Sequence, residues 1–544
     1  MARAVRLRAW QLDALDKLGS HREKSFLAVA TPGAGKTRFA LTAVLRNLAE
    51  HPHRHVAVVA PTQHLKVQWA DAAAEFGLQL EPEWRVDDGW PTDMHGVVTT
   101  YQQVASSPRA FRKPTRDGIV VLDELHHAGT ERAWGDSLLE AFEGTELRLC
   151  LSGTPFRSDT NAIPFIEYTF EQAVADYTYG YDDALRDGGV VRPVFFPRVG
   201  GHMEWLAPDG TEVAASFDDP LDRVGQSQRL RTALSAQGQW LPTVLRQAHE
   251  RLTELRVTHP DAGGLVIAMD VEHAQACVGL LEALGTRATI ATSDDPQASE
   301  KIAAFAASRD PWIVAVRMIS EGVDIPRLRV GVYATNVVTE LFFRQAVGRL
   351  VRWTRGMRRQ KAFMFLPDDP RLRLLAAGIA EQRTHSLRRR ELDGDQDPVA
   401  LDEAQPDADG QMSMFAMISA VATQEHDPSN VFADSHDEDL IHDDEDDDDP
   451  RFMLELPAPP RRGSLGEQGP DGERLAPVPR GKRKKELRQG NADRVKMLVR
   501  LTGLEPAEVN ARLNSEAGID RVGEATLGQL DKRLRAADRW LSRV

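Results

Sequence analysis

Short apolar runs alternate with longer polar stretches of helical period over the first 200 residues of the chain. The runs hold four to six residues and are rich in valine and leucine, which is typical of strands buried on both faces of a parallel sheet. Each run is followed by a stretch that includes a helical pattern, so the pattern predicts an α/β fold. The predicted strands are Phe26–Val29, His55–Ala60, Gly96–Thr99, Gly118–Leu122 and Leu147–Leu151.

The same alternation returns in residues 259–390, which predicts a second parallel sheet. Between the two regions, residues 201–258 show no strand spacing and have a helical pattern from about Asp222 onward. We therefore expect two tandem parallel-sheet lobes, lobe 1 at 1–200 and lobe 2 at 259–390, joined by a helical connector. The predicted strands of lobe 2 are Leu265–Met269, Ala288–Ala291, Trp312–Ala315, Val330–Ala334 and Lys361–Leu366.

The pattern breaks after residue 390. Residues 391–450 hold 21 Asp and Glu and no Lys or Arg; since the whole chain has a net charge of −15, the remainder carries +6, which permits a polyanionic partner. Residues 391–480 are first acidic and then rich in Pro and Gly, a composition that cannot bury enough apolar surface, so we expect a disordered linker. Residues 481–544 begin near a basic run and then show helical periodicity, which predicts a small helical module.

The two cysteines, Cys150 and Cys277, lie far apart in sequence. They provide no disulfide framework and no zinc cluster, and they fit a reducing cytoplasm, where we expect the protein to act. No apolar stretch approaches the ~18–20 residues of a membrane-spanning helix, and none follows the basic N-terminus as it would in a signal peptide. We therefore expect neither zinc nor a membrane among the partners.

Residues 30–37 read Ala-Thr-Pro-Gly-Ala-Gly-Lys-Thr and directly follow the first predicted strand. Such a loop cradles a polyphosphate with its N–H groups, places a lysine on the β- and γ-phosphates and gives the next hydroxyl to Mg²⁺. Alanine stands where the first glycine is usual, which is tolerable at negative φ. The alternative is a chance glycine-rich turn. The candidate nucleotide-binding residues are Thr31, Gly33, Ala34, Gly35, Lys36 and Thr37, the last also as a Mg²⁺ ligand.

A second candidate lies at the end of the apolar run 119–122, where Asp123 and Glu124 follow directly. A buried strand would deliver both carboxylates to its carboxyl edge. There Asp123 suits the Mg²⁺ shell, and Glu124 suits orienting and deprotonating the attacking water. The alternative is an exposed acidic turn.

The third candidate is the stretch 345–352, with Gln345 at its start. Arg349 and Arg352 are three residues apart and would share one helix face. Guanidinium groups there could stabilise charge on the transferring γ-phosphoryl group. The alternative is an ordinary solvated basic helix. Because the stretch lies over 300 residues from the phosphate loop, we expect the two lobes to close on one nucleotide.

Taken together, these residues resemble helicase superfamily 2, in its Asp-Glu-x-His branch, over roughly residues 3–368. The resemblance rests on further matches at 8–11, 60–69, 99–102, 151–157, 265–274 and 319–326. It implies two RecA-like lobes, ATP with Mg²⁺ as cofactor and a nucleic-acid track. It also implies adenine recognition by Gln11, nucleotide contacts by Gly322 and Asp324, and coupling of the two sites by Ser152 and Thr154. The implied nucleic-acid contacts are Pro61, Thr62, Thr100, Tyr101 and Ser320.

Two departures from the common pattern are Leu125 and Gly153, where alanine is frequent in both cases. They are similar to the type III restriction and repair-translocase branches, which favours DNA as the track. We expect an ATP-dependent DNA helicase or double-strand DNA translocase. The alternatives are an RNA helicase and an ATP-gated nucleic-acid clamp that does not travel.

Two short signals lie in the tail. Residues 411–415, Gln-Met-Ser-Met-Phe, resemble the bacterial sliding-clamp-binding pentapeptide, which implies clamp contacts by Gln411, Met414 and Phe415. A docked amphipathic helix and a chance match are the alternatives. The basic run 480–488 could place Lys484 on DNA phosphates without reading sequence, or it could be a plain basic linker.

Overall fold

The structure is a computed structural model of the 544-residue chain. A few stretches are left undescribed, mainly in the tail. The described residues are 3–86, 90–91, 93–126, 132–153, 163–169, 172–292, 295, 297–316, 325–354, 356–357, 360–389, 416–423, 451–460, 480–523 and 525–543.

Lobe 1 is built on a seven-stranded sheet in the order β10-β2-β7-β6-β3-β5-β4, and all of its pairings are parallel. Its strands are β1 (Arg3–Arg8, outside this sheet), β2 (Ser25–Ala30), β3 (Val56–Ala60), β4 (Leu80–Glu81), β5 (Gly96–Thr100), β6 (Ile119–Leu122), β7 (Leu147–Ser152), the short pair β8 (Tyr168–Thr169) and β9 (Gln172–Ala173), and β10 (Tyr177–Tyr179). Its helices are α1 (Ala9–Ser20), α2 (Lys36–Glu50), α3 (Gln63–Glu75), α4 (Tyr101–Ser106), α5 (Arg109–Arg112) and α6 (Arg132–Phe142).

The strand order brings the loops that carry the candidate site residues of lobe 1 to one edge of its sheet. Strands β3, β5 and β6 are buried along their whole length, as expected of apolar runs covered by helices on both faces. Strand β7 lies between β2 and β6. Since all three are parallel, the loops that follow them leave the same edge of the sheet, where open α/β sheets bind ligands.

Lobe 2 contains five parallel strands in the order β18-β17-β14-β16-β15. Two further strands pair in parallel with β18, and two more pair antiparallel with one of these. Its strands are β11 (Val194–Phe195), β12 (Arg198–Leu206), β13 (Glu212–Ser216), β14 (Gly263–Ala268), β15 (Ala288–Ala291), β16 (Trp312–Val316), β17 (Leu328–Ala334) and β18 (Ala362–Pro367). Its helices are α7 (Tyr181–Asp187), α8 (Arg223–Ala233), α9 (Trp240–Thr258), α10 (Val271–Ala283), α11 (Ala298–Ala307), α12 (Glu340–Gly348) and α13 (Pro370–Arg389).

The prediction of a purely helical connector at 201–258 is wrong for its first part. Strands β12 and β13 form an antiparallel hairpin there, and β12 joins the sheet of lobe 2 by pairing in parallel with β18. The side chains of Met203 and Trp205 are buried, whereas His202 and Glu204, which alternate with them along the strand, are more exposed. This alternation of period two is the strand signal that the sequence interpretation missed. Helices α8 and α9 follow in the remainder.

The prediction of disorder across 391–480 is wrong for two segments. Strand β19 (Ala416–Thr423) pairs antiparallel with β12 in lobe 2, and β20 (Arg451–Leu456) pairs antiparallel with β1 in lobe 1. The register of the second pair sets Arg451 opposite Arg8. Because these strands take their hydrogen-bond partners from distant parts of the chain, local composition does not reveal them.

Three helices follow: α14 (Arg480–Thr502), α15 (Pro506–Ala517) and α16 (Leu527–Leu541). They share a small core that includes Leu498, Val509 and Leu513. The module packs on lobe 1 through an ion pair of 3.4 Å between Lys484 Nζ and Asp93 Oδ1. No helix in the described part of the chain is long and apolar enough to cross a membrane.

Candidate active site

The turn between β2 and α2 has the backbone of a phosphate-binding loop. Gly33 and Gly35 adopt φ values of +86° and +96°, which side-chain-bearing residues rarely adopt. A Cβ on Gly35 would lie 2.7 Å from Gln11 Nε2, so bulk is excluded there as well. Helix α2 begins at Lys36, and its first N–H groups provide a site for an anion at the edge of the sheet. Ala30, in the position of the usual first glycine, is not among the residues with positive φ, so alanine is tolerated.

Three side chains upstream of β2 hold the loop by its carbonyl oxygens. Arg8 Nη1 donates to the carbonyls of Gly33 and Ala34 at 3.1 and 3.0 Å, and Trp10 Nε1 donates to Ala34 at 3.1 Å. Gln11 Nε2 donates to Gly35 O at 2.8 Å, while Gln11 Oε1 accepts from the Arg8 backbone at 2.9 Å. Gln11 thus positions the loop, and adenine recognition by it stays a prediction. Sequence reasoning missed Arg8 and Trp10 as loop-holding residues, because only the fold brings them to the loop.

Lys36 and Glu124 form the central ion pair of the site, with 3.0 Å between Nζ and Oε1. Lys36 Nζ also donates to Ala30 O at 3.2 Å, and Glu124 Oε2 accepts from the Gly153 backbone at 2.9 Å. A Cβ on Gly153 would lie only 3.0 Å from Lys36 Nζ and 3.2 Å from Glu124 Oε1. The glycine in place of the commoner alanine therefore leaves room for this ion pair.

The pKa values of the two carboxylates of the site are shifted in opposite directions. Burial raises the pKa of Asp123, and the neighbouring charge of Glu124 raises it further. Burial would also raise the pKa of Glu124, but the Lys36 ammonium, His126 and the Gly153 N–H together outweigh it and hold that pKa below its usual range. Glu124 is therefore an ionised carboxylate held by a lysine.

Asp123 is fixed by two aromatic residues. Trp69 Nε1 donates to Asp123 Oδ2 at 2.8 Å, and Tyr101 OH donates to the Asp123 carbonyl at 2.9 Å. This corrects the prediction of a nucleic-acid contact by Tyr101, because the side chain is buried beneath the site. The same prediction for Thr100 is wrong: it is buried, and its hydroxyl accepts from the Gln103 N–H as the N-cap of α4.

Thr62 and Pro61 are partly exposed at the start of α3. Thr62 caps this helix by accepting from the Leu65 N–H at 3.4 Å. Their contacts with nucleic acid stay predictions. Thr37 is partly exposed in the first turn of α2, next to Lys36, and its hydroxyl suits Mg²⁺.

Helix α12 of lobe 2 packs against the phosphate loop of lobe 1. A Cβ on Gly348 would lie 2.7 Å from Pro32 Cγ, and one on Gly33 would lie 3.3 Å from Arg352 Cδ. Arg349 is the C-cap of α12, which ends at Gly348, and is partly buried, whereas Arg352 lies beyond the helix and forms a bridge with Val191. The prediction that the two arginines share one helix face is therefore wrong. Both predicted arginines nevertheless lie in the segment of lobe 2 that contacts the loop, as closure of two lobes on one nucleotide requires.

A chain of polar side chains crosses between the lobes. Gln345 Nε2 lies 2.8 Å from His126 Nε2. With the amide nitrogen donating, the imidazole proton is on Nδ1, which lies 3.4 Å from Ser152 Oγ and 3.6 Å from Glu124 Oε2. His126 thereby connects the Glu124 carboxylate, the end of β7 and lobe 2. The role of His126 follows from the fold and was not singled out from the sequence.

The prediction that Lys484 contacts DNA phosphates is wrong. Its side chain is 1% exposed and ion-paired with Asp93, which is 2% exposed, and the Leu527 N–H donates to the other Asp93 oxygen. A lysine buried in a docking surface cannot reach a nucleic-acid backbone. Several predicted site residues lie outside the described residues: Thr154, Ser320, Gly322, Asp324, Gln411, Met414 and Phe415.

Comparison with known protein families and sequences gives three findings. A family model described as "Type III restriction enzyme, res subunit" matches residues 4–157. The chain is 46% identical over 407 residues to an uncharacterised protein of Mycobacterium tuberculosis (strain H37Rv), covering 73% of this chain and 67% of that protein. It is 29% identical over 157 residues to the DNA 3'-5' translocase XPB2 of Sulfurisphaera tokodaii, covering 28% and 32%.

Among solved structures, the ATP-dependent type ISP restriction-modification enzyme LlaBIII bound to DNA aligns with a TM-score of 0.47 and 14% identity, over 71% of this chain and 30% of that one.

Proposed function

Because the chain belongs to helicase superfamily 2, in one family with the mycobacterial protein that it matches, we propose that it is an ATP-dependent DNA helicase or double-strand DNA translocase. The observation that carries the proposal is the hydrogen bond between Gln345 of lobe 2 and His126 of lobe 1. It connects the carboxylate side of the phosphate site in lobe 1 to the arginine segment of lobe 2. A nucleotide bound there would control how the two lobes sit against each other.

Each residue of the site has a distinct role in this proposal. Thr37 and Asp123 are hard oxygen ligands that would hold Mg²⁺, which would neutralise charge on the β- and γ-phosphates. Lys36 binds those phosphates, and Glu124 orients and deprotonates the attacking water. The guanidinium groups that would stabilise charge on the transferring phosphoryl group belong to Arg349 and Arg352.

The Lys36–Glu124 ion pair implies an order of events. The phosphates of ATP compete with Glu124 for the Lys36 ammonium. Once they take it, Glu124 loses the largest charge that lowers its pKa, so the pKa rises and the carboxylate becomes a stronger base. Binding of ATP thereby activates the base that hydrolyses it.

The sites couple through His126, which contacts Ser152 at the end of β7 and Gln345 in α12. Release of phosphate would weaken the hold of lobe 2 on lobe 1. Alternating closure and opening would then let the lobes grip a phosphate backbone in turn. DNA as the track is supported by the res-subunit match over lobe 1 and by Gly153 and Leu125, whose pattern resembles restriction and repair translocases.

The experiment compares ATPase stimulation by single-stranded DNA, duplex DNA and RNA, together with displacement of a triplex-forming strand. DNA-stimulated hydrolysis with triplex displacement supports a double-strand translocase. Stimulation by RNA alone would identify the RNA-helicase alternative. DNA-stimulated hydrolysis with displacement of neither a paired strand nor a triplex strand would identify the clamp that does not travel.

We also propose that residues 411–415 recruit a sliding clamp, as an attachment secondary to the motor. The peptide immediately precedes β19, which ties it to lobe 2 through β12. Such a tether would raise the local concentration of the motor at DNA that carries a clamp. A peptide of residues 405–420 should bind the clamp and lose binding when Gln411 and Phe415 are both alanine. Absence of binding at high micromolar concentration contradicts this attachment. Action in the cytoplasm remains our expectation, consistent with two free, buried cysteines.

A further inference from the structure

Lobe 2 contains a cavity of about 320 Å³ at the edge of its sheet where β14 and β17 begin. This is the edge opposite to the carboxyl ends of those strands. Four arginines and one acid line it: Arg192, Arg309, Arg327, Arg329 and Asp261. The acid is already paired, because Arg309 Nε lies 2.7 Å from Asp261 Oδ1. The lining is therefore strongly positive.

Arg329 forms the floor of this cavity and is 2% exposed. Its Nε donates to Lys361 O at 2.6 Å. Its two terminal nitrogens are buried and have no hydrogen-bond partner among the residues that the structure describes. Burying a guanidinium without a counter-charge is unfavourable, so an unpaired fork of donors beside a cavity indicates a missing anion.

Arg192 lies beside it and is fully buried. Its terminal nitrogens donate to three neutral oxygens: Leu328 O at 3.2 Å, Pro326 O at 2.8 Å and Thr354 Oγ1 at 3.1 Å. Burial lowers the pKa of Arg192, and the charge of Arg329 lowers it further. Since arginine stays protonated in proteins, these are two adjacent cations taken out of water.

The buried Arg229 of the same lobe provides the contrast. Burial lowers its pKa as well, but the nearby carboxylates of Asp369, Asp219 and Asp218 offset its charge. Within the described part of the chain, no carboxylate has a comparable effect on Arg192 or Arg329. The cavity pair is thus distinct from an ordinary buried arginine.

We propose that this cavity binds a small phosphate-bearing anion, either inorganic phosphate or a phosphate monoester. Two cations match a dianion, and the planar fork of Arg329 matches two oxygens of a phosphate. Arg309, with its side chain 78% exposed, and Arg327 at the rim would attract the anion from solvent. The backbone of a nucleic acid on the surface is a poorer fit, because the guanidiniums on the floor are 0–2% exposed.

The site is connected to the segment that contacts the phosphate loop. Arg192 bonds Thr354, which follows Arg352 by two residues, and Val191 forms a bridge with Arg352 itself. An anion bound in the cavity would therefore fix the chain next to Arg352, the predicted catalytic arginine. The binding proposal itself does not depend on the proposed motor function, so either can fail without the other.

The test titrates phosphate into the full-length Lys36→Ala protein, in which binding at the phosphate loop is impaired. Isothermal titration and thermal unfolding are compared with chloride at matched ionic strength. We expect saturable binding of phosphate that Arg329→Met weakens at least tenfold. Arg246→Met, at an exposed arginine of α9 that is ion-paired with Glu250, serves as the control and should bind as before. Equal binding with and without Arg329, or no saturable binding, overturns the proposal.

A second pair of variants keeps the test valid if Arg329→Met does not fold. Ala307 is exposed at the cavity rim near the end of α11, where Glu and Gln are both good helix formers. Ala307→Glu places a carboxylate at the mouth and should weaken phosphate binding about tenfold, whereas Ala307→Gln should not. A short oligonucleotide that binds through Arg329 when inorganic phosphate does not would overturn the small-anion proposal in favour of a nucleic-acid contact.

Discussion

Two buried ion pairs of lobe 1 and one pair of buried arginines in lobe 2 are arranged in opposite ways. In lobe 1, Lys36 is paired with Glu124, and Lys484 is paired with Asp93 where the C-terminal module docks. In lobe 2, Arg192 and Arg329 share a cavity without a described carboxylate to offset them. The comparison teaches that a buried cation paired with a carboxylate needs no ligand, and that a ligand must displace the carboxylate to bind the cation. Two buried cations without a carboxylate instead leave their charge to be neutralised by an anionic ligand.

The largest expected effect tests whether lobe 2 completes the site of lobe 1. Arg352→Gln removes a guanidinium next to Gly33 of the phosphate loop. We expect ATP hydrolysis to fall by about 10³-fold or more, as when a transition-state arginine is removed. The measurement is steady-state ATPase with DNA present. Arg344→Gln, on the preceding helix α12 at an arginine that is ion-paired with Glu340, is the control and should keep most activity. Equal activity of both variants would contradict the role of Arg352.

A second variant breaks a balanced pair. Lys484→Met leaves Asp93 buried without its cation, which should destabilise the protein by about 3–5 kcal/mol. Denaturant unfolding measures the loss. Adding Asp93→Asn should recover much of it, because the amide is neutral and its oxygen can still accept from Leu527. Lys485→Met, at an exposed lysine, should change stability by less than about 0.5 kcal/mol. A loss no larger than that of Lys485→Met would show that the buried pair does not matter.

A third variant removes the hydrogen bond between the two lobes. Gln345→Leu removes the hydrogen bond to His126 while keeping a similar volume. We expect DNA-stimulated ATPase to fall about tenfold, or about 1.4 kcal/mol, with ATP affinity of the isolated site little changed. The diagnostic readout is the ratio of stimulated to unstimulated hydrolysis. If both rates fall in parallel, Gln345 acts in chemistry and not in coupling.

The smallest expected effect sharpens the contrast in lobe 2. In the absence of phosphate, Arg329→Met removes an uncompensated buried cation and should leave unfolding free energy unchanged or slightly higher, within about 1 kcal/mol. A slight increase would be opposite in sign to the loss of unfolding free energy that we expect for Lys484→Met. Thermal unfolding in phosphate-free buffer measures it. A loss of several kcal/mol would mean that Arg329 already has its counter-charge.

The sequence predicted those features whose physical cause is local. The apolar runs before Gly33 and Asp123 mark buried strands that end in functional groups, and the two parallel-sheet lobes that they predicted are confirmed. Helix α12 also brings Gln345 to lobe 1, where its amide lies 2.8 Å from His126. These patterns depend only on residues that are neighbours in sequence, so they can be recognised without knowledge of the fold.

Features that depend on distant partners could not be predicted in this way. Lys484 belongs to a basic run typical of a solvated surface, yet the fold buries it against Asp93. Tyr101 follows a strand at the expected edge, but it turns inward to hold Asp123. The strands β19 and β20 find their partners in two different lobes, across long stretches of sequence. In each case tertiary contact overrides local composition.

The packing of the tail on both lobes also affects what removal of the tail would do. Removing residues 391–544 would take β20 from β1 and expose the partners of its buried Leu456. The lobes would also lose β19 from β12 and the Lys484–Asp93 contact. We therefore expect the truncated lobe pair to be less stable than the full chain.

The most direct test of the central claim is ATP hydrolysis by the wild type and by Glu124→Gln in the presence of DNA. The motor account predicts DNA-stimulated turnover in the wild type and a loss of about 10²–10⁴-fold in the variant, with ATP binding retained. Glu75→Gln, at an exposed position on α3, should behave as the wild type. A wild-type protein that hydrolyses no ATP with any DNA or RNA, or a Glu124→Gln variant with undiminished turnover, would contradict the account.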